Sequence, residues 1–252
     1  MNEIVLTTKV QGSGQGIVLA HGAGGGIEGN FASLIPALAE NHTVVGSDYP
    51  ADDTELTLDT LADALVADAV AAGVEAFTVI GFSLGTTVAV RAAVRHPERV
   101  RGLVLAAGFA KADNRLALGM RIWEDTARSD RESFARYVLD TGFGARFING
   151  LPAEQVEQLT ADLAANVPGG VVGQARLVRA ADTTGDLANV AVPTLVVNAT
   201  ADLLVDPANS RVLAEGIPGA EYTEIDAGHV LMAEQSKLWE ETVTGFLAKH
   251  GL

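Results

Sequence analysis

Apolar residues recur along this chain in two rhythms. Short, nearly all-apolar runs at residues 17–20, 43–46, 77–80, 102–107 and 193–197 read as strands buried on both faces. Residues 4–10 and 221–225 read as further strands, and Gln11-Gly12-Ser13-Gly14 as the turn before residue 17. Between the strands the spacing turns helical. Residues 30–40 put Phe31, Leu34, Ile35 and Leu38 on one face, with Asn30 as the expected cap. Residues 58–72 align Leu61, Leu65, Ala69 and Ala72. Residues 86–96, 209–215 and 234–249 complete the helices of this pattern. Strands that alternate with helices predict an α/β fold, a mostly parallel central sheet with helices on both faces.

The alternation lapses after Gly108. Residues 109–188 carry helical periodicity only, at 116–125, 131–139, 153–165 and 171–181, punctuated by Gly142-Phe143-Gly144 and Pro168-Gly169-Gly170. The expected organisation is a core of residues 1–108 and 189–252 with a helical cap, residues 109–188, inserted over the carboxyl edge of the sheet. Glycines at 142, 144, 150 and 169 are candidate hinges for that lid.

Composition narrows the picture. Of 252 residues, 48% are hydrophobic and 19% charged, which describes a globular chain. Thirty-two acidic against 17 basic residues give a net charge of −15, which repels phosphate backbones, so no nucleic-acid partner is expected. There is no cysteine, which removes disulfides, thiolate catalysis and cysteine-held metals. Neither a secretory pattern nor a membrane-length apolar run is visible, so the expectations are a cytoplasmic protein, no membrane partner, and a monomer or homodimer. No metal site or cofactor is implied.

The chemistry gathers at Gly81-Phe82-Ser83-Leu84-Gly85, between a predicted strand and a predicted helix. Strand, sharp turn and helix are what a nucleophile elbow needs. The two glycines lack β-carbons that would collide in so tight a turn, and the serine is left strained and exposed. A parallel sheet collects chemistry in the loops after its strands. Of the five histidines, His42, His96 and His250 have structural explanations, and His21 is read as orienting the glycine loop behind it. His229, in the loop between the last strand and the last helix, is the candidate base. Asp202, beyond the strand at 193–197, is the favoured acid over Asp206 and Asp113.

With these residues the chain resembles the α/β-hydrolase fold family over nearly its whole length. The likeness lies in His21-Gly22, the Gly-x-Ser-x-Gly stretch, His96-Pro97-Glu98-Arg99-Val100, Asp202 and Gly228-His229. It is closest to small esterases, enol-lactonases and cofactor-free haloperoxidase-like hydrolases. The resemblance implies an oxyanion hole formed by the backbone amides of Ala23 and Leu84. Relatives with an Arg-Gly-x-Gly-x-Ser stretch after the third strand differ here, where Asp48 is followed by Tyr49-Pro50-Ala51-Asp52-Asp53.

The expected activity is hydrolysis of an ester, thioester or lactone through a Ser-His-Asp triad and an acyl-enzyme. Phe82, Phe109, Met120 and Trp123, with Leu116, are the candidate substrate-binding surface, which suits a medium-sized, largely apolar small molecule. The same triad could serve C–C bond hydrolysis, acyl transfer or elimination. A non-catalytic hydrolase-like binding protein is a second class. Nucleotide binding through Gly24-x-Gly26-x-x-Gly29 with Asp48 is a third.

Overall fold

The computed structural model describes residues 4–52 and 54–252. Among the described residues seven strands form one sheet: β1 (Thr7–Gly12), β2 (Gln15–Ala20), β3 (His42–Asp48), β4 (Phe77–Phe82), β5 (Val100–Ala106), β6 (Thr194–Ala199) and β7 (Glu221–Ile225). Their order is β1-β3-β2-β4-β5-β6-β7, and only β1 runs antiparallel to its neighbour. The central strands bury both faces. Val18, Ala20 and Val79 point into one apolar layer, while Ile17, Leu19 and Ile80 point into the other. That is why these runs are continuous in apolar character rather than alternating.

Two short helices, α1 (Ile27–Phe31) and α2 (Ile35–Ala39), occupy the stretch expected to be one helix. Phe31, Leu34, Ile35 and Leu38 are all buried, as their spacing requires, but Pro36 sits in the first turn of α2 and the chain restarts there. Asn30 lies inside α1 and caps nothing. β1 is displaced from the expected residues 4–10 and runs through Gln11 and Gly12, which were expected to turn. All six of its residues are exposed, so no buried face fixed its limits in the sequence. Helix α3 (Leu58–Ala71) starts at a capping box in which Thr57 and Thr60 satisfy each other's backbone amides.

Helix α4 (Leu84–Arg95) follows β4 without a linker beyond Ser83. Between β5 and β6 stand five α-helices, α5 (Asn114–Ser129), α6 (Arg131–Gly142), α7 (Ala145–Asn149), α8 (Ala153–Ala165) and α9 (Val171–Ala180), and a 3-10 turn at Leu187–Asn189. The ends of this insertion meet, since Thr183 N–H donates to Ala110 O at 2.8 Å and Lys111 pairs with Asp182 at 2.8 Å. Glu124 of α5, itself buried, binds Arg179 and Arg176 of α9 and fixes the two helices side by side. Helices α10 (Pro207–Gly216), α11 (Leu231–Glu234) and α12 (Ser236–His250) complete the chain. No helix among the described residues is long and apolar enough to cross a membrane.

Candidate active site

β4 ends and α4 begins at Ser83, whose backbone stands at φ 53° and ψ −119°, a conformation that L-residues rarely adopt. It is held there by its surroundings. Ser83 N–H donates to Ala106 O at 3.0 Å, and a β-carbon on Gly85 would lie 1.9 Å from Ala20 O. The turn therefore passes directly over β2, and only glycine fits at 85.

Three loops converge on this serine. Asp202 follows β6, and its Oδ1 accepts from the amides of Leu204 and Val205, both at 2.8 Å. Its Oδ2 accepts from His229 Nδ1–H at 2.6 Å. Because a carboxylate can only accept here, Nδ1 is the nitrogen that carries a proton, and this leaves Nε2 as the one placed to accept from the serine. Ser83 Oγ–H donates to that Nε2 at 2.9 Å. All three residues are buried, with exposures of 4–6%. Phe82 packs on the imidazole, ring centres 4.9 Å apart.

The other acidic candidates are used elsewhere. Asp206 caps α10 and Asp113 caps α5. His96 bonds Asp63, His250 bonds Glu221, and His42 bonds backbone carbonyls of Leu38 and Leu252. His21 donates from Nδ1 to Gly22 O at 2.8 Å and accepts at Nε2 from Tyr49 N–H at 3.0 Å. It stacks on the Tyr49 ring with centroids 3.7 Å apart. Burial lowers its pKa to about 4, so it stays neutral and braces the loop.

That loop, residues 22–26, covers one side of the serine. Gly22 N–H donates to Asn30 Oδ1 at 2.9 Å, Gly24 N–H to Gln174 Oε1 at 2.8 Å, and Gly25 N–H to Gly22 O at 3.3 Å. Among the described residues the amides of Ala23 and Leu84 have no acceptor. Asp48 Oδ1 accepts from Ile27 N–H at 2.7 Å, at the head of a five-residue helix. A carboxylate thus occupies the place where the glycine spacing suggested a phosphate, and the nucleotide-binding reading loses its cradle.

A cavity of about 290 Å³ opens over Ser83 and His229. Its wall is mostly apolar and comes from the insertion, with Leu116, Met120 and Trp123 joined by Phe134, Leu139 and Leu159. Phe82 and Ala23 also line it. Phe109 does not, which corrects the sequence expectation. It follows β5 so closely that it packs under the insertion, fully buried in the core beside the sheet. A larger, more open recess of about 630 Å³, lined by Glu28, Asp48 and Tyr49, lies on the far side of the loop and contains neither Ser83 nor His229. Among the described residues no cluster of His, Asp and Glu is arranged to hold a metal ion.

The family description "alpha/beta hydrolase fold" matches residues 16–235, and the chain belongs to that family. It is an enzyme of the hydrolase class. It is 32% identical over 246 residues to pyrrolizixenacetamide deacetylase of Xenorhabdus hominickii, covering 94% of this chain and 92% of that one. It is 33% identical over 259 residues to the candidate carbamate hydrolase RutD of Azorhizobium caulinodans, covering 94% and 93%. Among solved structures, the enol-lactonase of Burkholderia xenovorans LB400 superposes with a TM-score of 0.85 at 24% identity, over 96% of each chain, a likeness of fold.

Proposed function

We propose that this hydrolase cleaves the acyl bond of a medium-sized, largely apolar ester, thioester or lactone through Ser83, His229 and Asp202. One observation carries the reading. An unbroken hydrogen-bonded row runs from Asp202 through His229 to Ser83, and it ends on the floor of an apolar cavity.

Ser83 Oγ attacks the carbonyl carbon while its proton passes to His229 Nε2. The resulting imidazolium is held by Asp202, and the oxyanion by the amides of Ala23 and Leu84. His229 then gives the proton to the leaving oxygen, sulfur or nitrogen, and the acyl group stays on Ser83. Water enters by the same sequence in reverse, with His229 as base, and releases the acid. The helices between 109 and 188 act as the cap that shapes the acyl pocket. An amide substrate is the second reading, favoured by the relative named pyrrolizixenacetamide deacetylase.

The test is covalent. A fluorophosphonate should add to Ser83, located by peptide mass, and a series of p-nitrophenyl acyl esters should reveal a chain-length optimum. Labelling at another residue, or full turnover by Ser83→Ala, overturns the reading.

A further inference from the structure

We infer that Gln174, which lies outside the substrate cavity, is a positioning residue that holds one oxyanion donor in place from the helical insertion. The inference rests on the triad reading above and extends it to how the site is kept in register.

The loop from Gly22 to Gly25 has four consecutive amides, and three of them are committed. Gly22 is held by Asn30 Oδ1, Gly25 by Gly22 O, and Gly24 by Gln174 Oε1. What remains is the Ala23 amide, the one with work to do. Its direction is set by the two peptide planes that flank it, and therefore by Asn30 on one side and Gln174 on the other. Asn30 belongs to the core, whereas Gln174 belongs to α9 of the insertion.

Gln174 is built for the task. Its side chain is held in place by burial, with 3% of the residue exposed, and it meets a part-buried Gly24 amide. Gly24 sits at φ +68°, and a β-carbon there would lie 2.8 Å from Trp123 Cζ2 of α5. The loop is thus gripped between two helices of the insertion, which Glu124 binds to each other through Arg176 and Arg179. The insertion therefore does more than cover the cavity. When it is seated, the Ala23 amide is aimed, and when α9 shifts, the loop loses its acceptor. Gln174 does not itself line the cavity over Ser83; it lines the separate, larger recess and meets the cavity wall at Gly24, so it acts through Gly24 rather than on the substrate.

The test compares Gln174→Met, similar in length without an acceptor, with Gln174→Glu, which keeps one. The substrate is p-nitrophenyl acetate, too small to depend on the cavity wall. Loss of a whole oxyanion donor costs about 10²–10³ in kcat, so a misaimed one should cost roughly tenfold or more. Gln174→Met should lose that factor in kcat with KM within about twofold. It should also lose the same factor in affinity for a trifluoromethyl ketone, whose Ser83 adduct carries the oxyanion. Gln174→Glu should restore both. Gln174→Ala carries the same expectation as Gln174→Met if the latter does not fold, judged by circular dichroism. An unchanged kcat in the folded variant, a rise in KM alone, or a kcat loss without weaker ketone binding would each overturn the inference. Ser83→Ala, measured beside them, separates the two levels: activity retained there sinks the triad itself, whereas activity lost there with Gln174→Met unaffected sinks only the role of Gln174.

Discussion

Glu234 and Gly228 are joined across the mouth of the histidine loop, with the carboxylate Oε1 accepting from the Gly228 amide at 3.1 Å. The same oxygen accepts from Gly144 N–H at 2.8 Å, between α6 and α7. One side chain thus ties the insertion to the residue preceding His229, and Val230 N–H adds a second tie to Gly142 O at 2.8 Å. Glu234→Ala should strand two amides, costing roughly 1–3 kcal/mol of stability and, by loosening the loop, about tenfold in kcat. Urea denaturation and steady-state rates check this, and Glu234→Gln should retain most of both.

Ser83→Ala should remove turnover by a factor on the order of 10⁴–10⁶, as loss of a triad nucleophile does. The backbone strain at this position gives a second expectation. Ser83→Gly should be more stable than Ser83→Ala by about 1–2 kcal/mol, the reverse of the usual order inside helices, because φ 53° is open to glycine. Comparing urea midpoints of the two inactive variants measures that strain.

Gly85→Ala has no rotamer with which to escape, since the clash is with backbone oxygen of β2. A loss of more than about 3 kcal/mol is expected, seen as a collapse in soluble yield or in Tm.

Met120 is buried in the cavity wall, and Met120→Ala should shift the chain-length optimum of the acyl series upward. Each added methylene that fits the enlarged space is worth about 0.8 kcal/mol, or roughly fourfold in kcat/KM.

His21 makes stability depend on pH. Folded, its pKa is lowered to about 4 by burial, against 6.5 in the unfolded chain. Between these values the unfolded state binds a proton that the native state refuses, so stability falls as pH drops from 6.5 to 4. The full contribution is roughly 3 kcal/mol, present above pH 6.5 and absent below about 4. Proton uptake on unfolding at pH 5, from the pH slope of urea denaturation, should be lower by about one in His21→Phe.

Much of this fold is legible in the sequence because buried parallel strands leave unbroken apolar runs and the helices between them keep one apolar face. The helical break at 32–34 was hidden because Phe31, Leu34, Ile35 and Leu38 keep one spacing across both short helices. β1 was misplaced because an exposed edge strand carries no such pattern. The elbow announced itself through Gly81 and Gly85, and His229 and Asp202 through their places after strands. Asn30, Gln174 and Glu234 could not be found that way. Each acts by a single acceptor oxygen on a distant amide, and nothing in a linear pattern marks which oxygen meets which amide. Phe109 failed in the opposite sense, since apolar character alone does not distinguish a cavity wall from the packing beneath it.

The row at the centre joins residues 146 positions apart, and its acidic end comes 27 positions before its imidazole. A chain emerging from the ribosome therefore carries its serine long before it carries anything to activate it. On the proposed mechanism the alcohol meets its base only once the last strand and its loop have docked, so turnover would report that this edge of the sheet has closed.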